Sequence, residues 1–258
     1  MPIAAHDGAE QLALGVQIRA KRCGPAEIGS LDCAQICHCD DGSDYVVKDR
    51  SGNALVPHSE WFCTHLGEAV GLASPPCKIV DVQGVSCFGS RWESGHDAAE
   101  WWFRAQRSEI DFSDLAPTLS RIYAFDLFVN NIDRHFLNFI VRRQHFGVSL
   151  LAFDYSQAWL VNGLPPPTLP MAHTERTVAI SRILRKMFGH FLRDEDVGHV
   201  LDGLEGVKEE TIVSIIDGHP KDWLTEEQKD SIVAWWSGVD KNSRIDDIRK
   251  GVKDGSYL

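Results

Sequence analysis

Residues 122–159 read IYAFDLFVNNIDRHFLNFIVRRQHFGVSLLAFDYSQAW, and the fold is organised around them. A greasy helix is predicted over 117–130: Pro117 is tolerated in a first turn, and Leu119, Ile122, Phe125 and Val129 keep helical register. The helix ends in a polar knot, Asn130-Asn131-Ile132-Asp133-Arg134-His135, with Asn138 three residues further on. Two apolar runs follow, 139–141 and 148–153, separated by a turn-like 142–147, which together read as a hairpin. Asp154 comes directly after the second run. A helix end and a hairpin thus deliver two carboxylates, a His, an Arg and an Asn. Such a set suits a metal-bound polyphosphate with a hydroxyl held beside it. Asp126, among Phe125, Leu127 and Phe128, is expected to be partly buried and to brace the loop, with Arg134 available to pair a nearby carboxylate.

Upstream the periodicity is that of strands. Residues 16–23 alternate apolar and polar, 24–30 form a Gly/Pro loop, 31–39 read as a strand, 40–43 as a tight turn and 44–48 as its partner. A helix over 58–70 follows, with Ser59 as N-cap and Trp61, Phe62, Leu66, Ala69 and Val70 along one stripe. Strands over 77–82 and 85–88 complete a small antiparallel sheet. Downstream the pattern is helical: 98–107, then 177–192 with Ile180, Ile183, Leu184, Met187 and Phe188 inward, then 207–216. Residues 225–236 open with a capping box of Thr225 and Gln228. A charged tail from Lys241 is expected to fray after Gly251. The fold class is therefore α+β, with a β-rich lobe over 1–92 and a larger helical lobe over 93–258.

The bulk numbers exclude several classes. The chain has 258 residues, 43% hydrophobic and 24% charged, with 26 Lys+Arg against 37 Asp+Glu and a net charge of −11. That balance argues against nucleic acid backbone binding as the main task. No apolar run approaches the roughly 18–20 residues that cross a bilayer, so no membrane is expected. The first residues lack a basic region followed by an apolar stretch, so no secretory signal is read and a cytoplasmic location is expected. The seven cysteines then read as free thiols in a reducing compartment. Cys33-x3-Cys37-His38-Cys39 invites a zinc reading. On a strand, however, residues 33 and 37 lie roughly 13 Å apart, too far for one tetrahedral ion.

Asn131-x-Asp133-Arg134-His135-x-x-Asn138, followed sixteen residues later by Asp154 in Ala152-Phe153-Asp154-Tyr155, resembles the catalytic and metal-binding loops of bacterial HipA-family kinases. A similar pattern occurs in the phosphoinositide kinases. Tyr45-Val46-Val47-Lys48 resembles the strand that bears the ATP-binding lysine, and Glu60 resembles its helical partner. The resemblance covers about 16–236 and implies a two-lobed, protein-kinase-like fold that transfers the γ-phosphoryl group of ATP with Mg²⁺, most readily to protein serine or threonine. It implies Asp133 orienting the acceptor hydroxyl and taking its proton, and Asn138 and Asp154 holding the metal. Lys48 would meet the α/β-phosphates, Glu60 would direct it, and His135 would assist at the phosphoryl group or support the loop.

Taken singly, each of these residues has a plainer role: Asp133 a solvated helix cap, Asp154 a turn residue, Asn138 a backbone partner, Lys48 and Glu60 surface charges. Only the joint order and spacing point to the site. Departures from the family are visible too. No GxGxxG precedes Lys48; its place is taken by residues 24–30, where Gly29 and Ser30 would lie near phosphate and Ser30 could be the regulatory serine that HipA-type kinases autophosphorylate. Asp154 is followed by Tyr155-Ser156 where many kinases have Phe-Gly. The adenine pocket is expected near 87–92, with Trp92 as lid or packing residue. A pseudokinase serving as an interaction module, or a kinase-fold nucleotidyl transferase, are the alternatives. The acceptor, a protein or small-molecule hydroxyl, and an antitoxin-like partner are left open.

Overall fold

Alternating side chains in the first part of the chain build strands that close on themselves. The computed structural model describes residues 17–25, 35–93, 98–107, 109, 115–144, 147–189 and 192–257. Strands β1 (Ile18–Pro25), β2 (Gln35–Cys39), β3 (Asp44–Lys48), β4 (Cys77–Val82) and β5 (Val85–Arg91) form a closed barrel in the order β1-β2-β3-β5-β4. Neighbours run antiparallel except at the closure, where β1 pairs parallel to β4 through Ile18–Val80 and Arg19–Asp81. Ile18, Cys37, Cys39, Tyr45, Val47, Val80 and Cys87 fill the interior. Gly89 admits this packing, since a Cβ there would meet the Val80 side chain at 2.4 Å.

Two expectations change here. Gly24 and Pro25, expected in a loop, finish β1; the rest of that loop, with Gly29 and Ser30, and the start of the second expected strand lie outside the described residues. The thiols are not all free: Cys23 and Cys37 form a disulfide. The antiparallel register puts these two directly opposite, with Cα atoms 4.1 Å apart. Cys37 therefore offers no thiolate to a metal, while Cys39, Cys63, Cys77 and Cys87 are free.

Helix α1 (Val56–Ala69) sits between β3 and β4 in sequence. It starts with Pro57 in its first turn and Leu55 at the N-cap, so Ser59 is not the cap. Ser59 is buried inside the helix, where its Oγ contacts the carbonyls of Tyr155 and Ala158 at 2.7 and 2.8 Å. Trp61, Phe62, Leu66 and Val70 are buried as the stripe required, whereas Ala69 is exposed.

The remainder is helical around one hairpin: α2 (Ala98–Gln106), α3 (Ala116–Phe128), β6 (Phe139–Gln144), β7 (Gly147–Ala152), α4 (Arg176–Phe188), α5 (Asp194–Gly206), α6 (Glu209–Asp217), α7 (Glu226–Ser237) and α8 (Val239–Lys253). Helix α3 is the axis of the core: Leu119, Ile122, Phe125, Leu127, Phe128 and Val129 belong to one cluster that reaches from α1 to α8. The capping box of Thr225 and Gln228 opens α7. Ile180 and Leu184 face inward on α4, but Ile183 is 41% exposed. The charged tail does not fray where expected. Ile245, Ile248 and Val252 of α8 recur at helical spacing and are buried. The same helix sends Arg244 to the carbonyls of Leu127 and Phe128 at 2.6 and 2.8 Å. Those carbonyls lie in the last turn of α3, where a cation also meets the negative end of the helix dipole. Among the described residues, no helix is long and apolar enough to cross a membrane.

Candidate active site

The loop that follows α3 is built around one buried guanidinium. Helix α3 stops at Phe128, and Asn130 turns the chain at φ +52, a left-handed conformation that asparagine tolerates better than most residues. Asp133 therefore lies in the loop beyond, five residues past the helix end where it was expected. Asp126 is fully buried and Arg134 is 2% exposed. The carboxylate accepts two bonds from Arg134, from Nε and Nη2 at 2.8 Å each, and one from Asn131 Nδ2 at 2.9 Å. Arg134 Nη1 also donates to the carbonyls of Asn138, at 3.3 Å, and Phe153. Burial works against the guanidinium's charge, and Asp126 more than offsets that. One fork thus ties α3, the loop and the open end of the β6–β7 hairpin together. Asn138 Nδ2 adds a bond to the Asp133 carbonyl at 3.1 Å.

Across the hairpin end, the Phe153 N–H donates to the Asn138 carbonyl at 3.3 Å, which places Asp154 just beyond Asn138's opposite neighbour. Asp154 has φ +67, a strained conformation of the kind found at functional positions, and its carboxylate accepts from Ser156 Oγ at 2.8 Å. It also meets Lys48 Nζ at 2.6 Å, and Lys48 meets Glu60 at 2.5 Å. The lysine ends β3 and is nearly buried; Glu60 is on α1 and also buried. Helix α1 is itself fixed to the helical part by the two Ser59 bonds, by Trp61 Nε1 donating to the Ile215 carbonyl at 2.8 Å, and by Phe62 stacked on Trp159 with ring centroids 4.8 Å apart.

The electrostatics follow from one cation between two carboxylates. Burial works against the Lys48 charge, yet Asp154 and Glu60 outweigh it and hold the ammonium protonated above the usual lysine range. Burial also opposes the Asp154 charge, and Lys48 outweighs it, holding the carboxyl well below its usual range. For Glu60 burial dominates, pushing the carboxyl up to about 7. With both acids ionised the trio carries one negative charge in excess, an arrangement that favours an incoming divalent cation.

The sequence-derived residues thus fall into groups. Lys48, Glu60 and Asp154 are in direct contact; Asp133 and Asn138 are joined through the loop that Arg134 braces. His135 accepts a bond from the Leu137 N–H at 3.3 Å, capping the short 3-10 turn Phe136–Asn138, and burial lowers its pKa, keeping the ring neutral. Its visible work is loop support. Trp92 is 44% exposed. Gly29 and Ser30 lie outside the described residues. Sequence reasoning missed Arg176, whose Nη1 pairs with Asp133 at 3.0 Å, and Thr177, whose buried hydroxyl sits 2.5 Å from the Asn131 carbonyl. They lie 43 and 46 residues from the motif residues that they contact, with no local signal to connect them. Ser59 carried a signal that was misassigned.

The donor set fits Mg²⁺ bound together with phosphate. Asn138 spends its Nδ2 on the Asp133 carbonyl, which leaves Oδ1 as a ligand atom. Asp154 directs Oδ1 to Lys48 and Ser156, leaving Oδ2. Among the described residues there is no cluster of three or more His, Cys, Asp or Glu able to hold a metal alone. Two protein oxygens completed by phosphate and water is the usual solution for this ion.

Comparisons with known proteins bear on the family and the fold of this chain. Residues 26–235 match the model of the HipA-like kinase family. The fold is similar to a crystal structure of the Helicobacter pylori proinflammatory kinase CtkA, with TM-score 0.57 and 13% identity over 94% of this chain and 99% of that one. A Shewanella oneidensis MR-1 HipA, solved with HipB and operator DNA, aligns with TM-score 0.46 and 13% identity over 80% of this chain and 60% of that one. No curated protein matched by sequence.

Proposed function

The chain belongs to the HipA-like kinase family, a kinase-type phosphotransferase assignment, and from that premise we propose that it is an ATP- and Mg²⁺-dependent kinase acting on protein serine or threonine. The observation that carries the reading is Lys48 held between Glu60 and Asp154, at 2.5 and 2.6 Å, with Asp154 joined through the hairpin end to the loop of Asp133 and Asn138. Phosphoryl transfer asks a protein mainly for positioning and charge neutralisation, and each residue has a part in that.

Residues 1–92 and 93–258 act as two lobes with the nucleotide between them. Lys48 gives its charge to the α/β-phosphates, and Glu60 fixes the direction of the ammonium. The adenine lies near residues 87–92. Asn138 Oδ1 and the Asp154 carboxylate hold Mg²⁺, which when bound neutralises charge on the phosphate oxygens. Asp133 orients the acceptor hydroxyl and takes its proton as the γ-phosphoryl group moves to the oxygen. His135 keeps the loop in shape.

The test is mass spectrometry of the chain and of candidate acceptors after incubation with ATP and Mg²⁺. Addition of a phosphate, at a rate lowered about 10²-fold or more by Asp133→Ala, is expected. Addition of AMP would mark a nucleotidyl transferase. ATP binding without any transfer would mark a pseudokinase.

A further inference from the structure

Arg176 has no part in the reading so far, yet it is placed against the residue proposed to take the proton. Its Nη1 reaches both oxygens of Asp133, at 3.0 and 3.3 Å. The placement is enforced rather than incidental. Arg176 is the first residue of α4, and the next residue, Thr177, is buried and bolted to the Asp133 loop at three points. Its Oγ1 accepts from the Arg134 N–H at 2.9 Å and lies 2.5 Å from the Asn131 carbonyl, while its own N–H donates to the Ile132 carbonyl at 3.3 Å.

Stability does not account for the pair. The side chains of Arg176 and Asp133 are 54% and 33% exposed, and ion pairs this open contribute about 0–1 kcal/mol. Thr177 already fixes the loop. Chemistry does account for it. The other two cations at the site are committed: Lys48 to Glu60 and Asp154, Arg134 to Asp126 and two carbonyls. Arg176 uses only Nη1 among the described residues, so Nη2 and Nε are left for a second anion. A guanidinium fork can serve two acceptors at once.

We propose that Arg176 is a further functional residue of this site, holding the Asp133 carboxylate in line for the acceptor hydroxyl and lending its remaining N–H donors to the transferred phosphoryl group. The proposal rests on the kinase reading above. Loss of one preorganised donor to developing charge lowers kcat by roughly 10²–10³-fold.

Wild type, Arg176→Ala and Arg176→Lys are compared for kcat, KM for ATP and melting temperature, with Arg176→Ala also assayed in added guanidinium chloride at concentrations below those that unfold it. The expected result is a kcat about 10²-fold lower in Arg176→Ala, with KM for ATP and melting temperature unchanged and part of the rate restored by lysine or by guanidinium. Any other pattern in an active wild type overturns the proposal: full activity in Arg176→Ala, a loss accompanied by lower stability, or a loss that neither substitute restores. If wild type transfers no phosphoryl group while binding ATP, the kinase reading itself fails and the role of Arg176 falls with it.

Discussion

Replacing Asp126 by alanine removes the carboxylate that balances Arg134. Asp126 is fully buried and Arg134 is 2% exposed, so the charge left behind has no access to water. Breaking such a pair from one side costs about 3–5 kcal/mol. At about 2–4 °C per kcal/mol for a domain of this size class, the melting temperature should fall by about 6–20 °C. A second variant separates charge from bracing. Asp126→Leu with Arg134→Met removes both charges together, and such replacements are often neutral or stabilising. The double variant should therefore recover most of the stability. It should not recover phosphoryl transfer, because the carbonyls of Asn138 and Phe153 lose the donor that holds the loop to the hairpin. Urea unfolding midpoints and transfer rates on the same preparations read both quantities. A single-variant loss below about 1 kcal/mol, the size of an exposed ion pair, would refute the reasoning, as would a fully active double variant.

Two further outcomes follow from groups outside the site. His58 and His219 are buried with Nδ1 of the first 3.0 Å from Nε2 of the second, and burial lowers both pKa values. The native pair thus binds fewer protons than the unfolded chain as pH falls through the ordinary histidine value of about 6.5. The stability that they contribute is whole above that pH and is lost below it, at up to about 1.4 kcal/mol per pH unit for each proton withheld. Urea midpoints between about pH 7 and 5 should fall less steeply in His58→Leu than in wild type; an unchanged slope contradicts this. Reducing the Cys23–Cys37 disulfide should raise the count of titratable thiols by two and lower stability by about 3 kcal/mol for a loop of this length. Cys23→Ser should show no such rise on reduction, and equal thiol counts before and after reduction in wild type would contradict the bond.

The candidate site was legible where its chemistry is dense in sequence. Asp133, Arg134, His135 and Asn138 stand within six residues, and few roles other than a phosphate and metal site need that mixture. The bracing by Asp126 could be read as well, because a lone acid inside an apolar helix requires a buried partner. What stayed hidden depends on register and on distant pairing. The Cys23–Cys37 bond follows from how β1 and β2 align across a bulge between Ala20 and Arg22, which no local pattern encodes. Arg176 meets Asp133 only because Thr177 docks α4 on the loop. Other signals were present but outweighed. Pro57 marked the true start of α1, while Ser59, a good cap by composition, is spent on carbonyls of a segment some hundred residues away. The charged surface of α8 masked the apolar stripe of Ile245, Ile248 and Val252.

The most direct measurement of the central claim is transfer of label from γ-labelled ATP in the presence of Mg²⁺, taken alongside ATP affinity, for wild type, Asp133→Ala and Asp154→Ala. The account predicts that wild type transfers label, that Asp133→Ala binds ATP with its rate lowered about 10²-fold or more, and that Asp154→Ala loses transfer and the Mg²⁺ dependence of binding. Label transfer that survives both substitutions, or a wild type that binds ATP and transfers none, would contradict it.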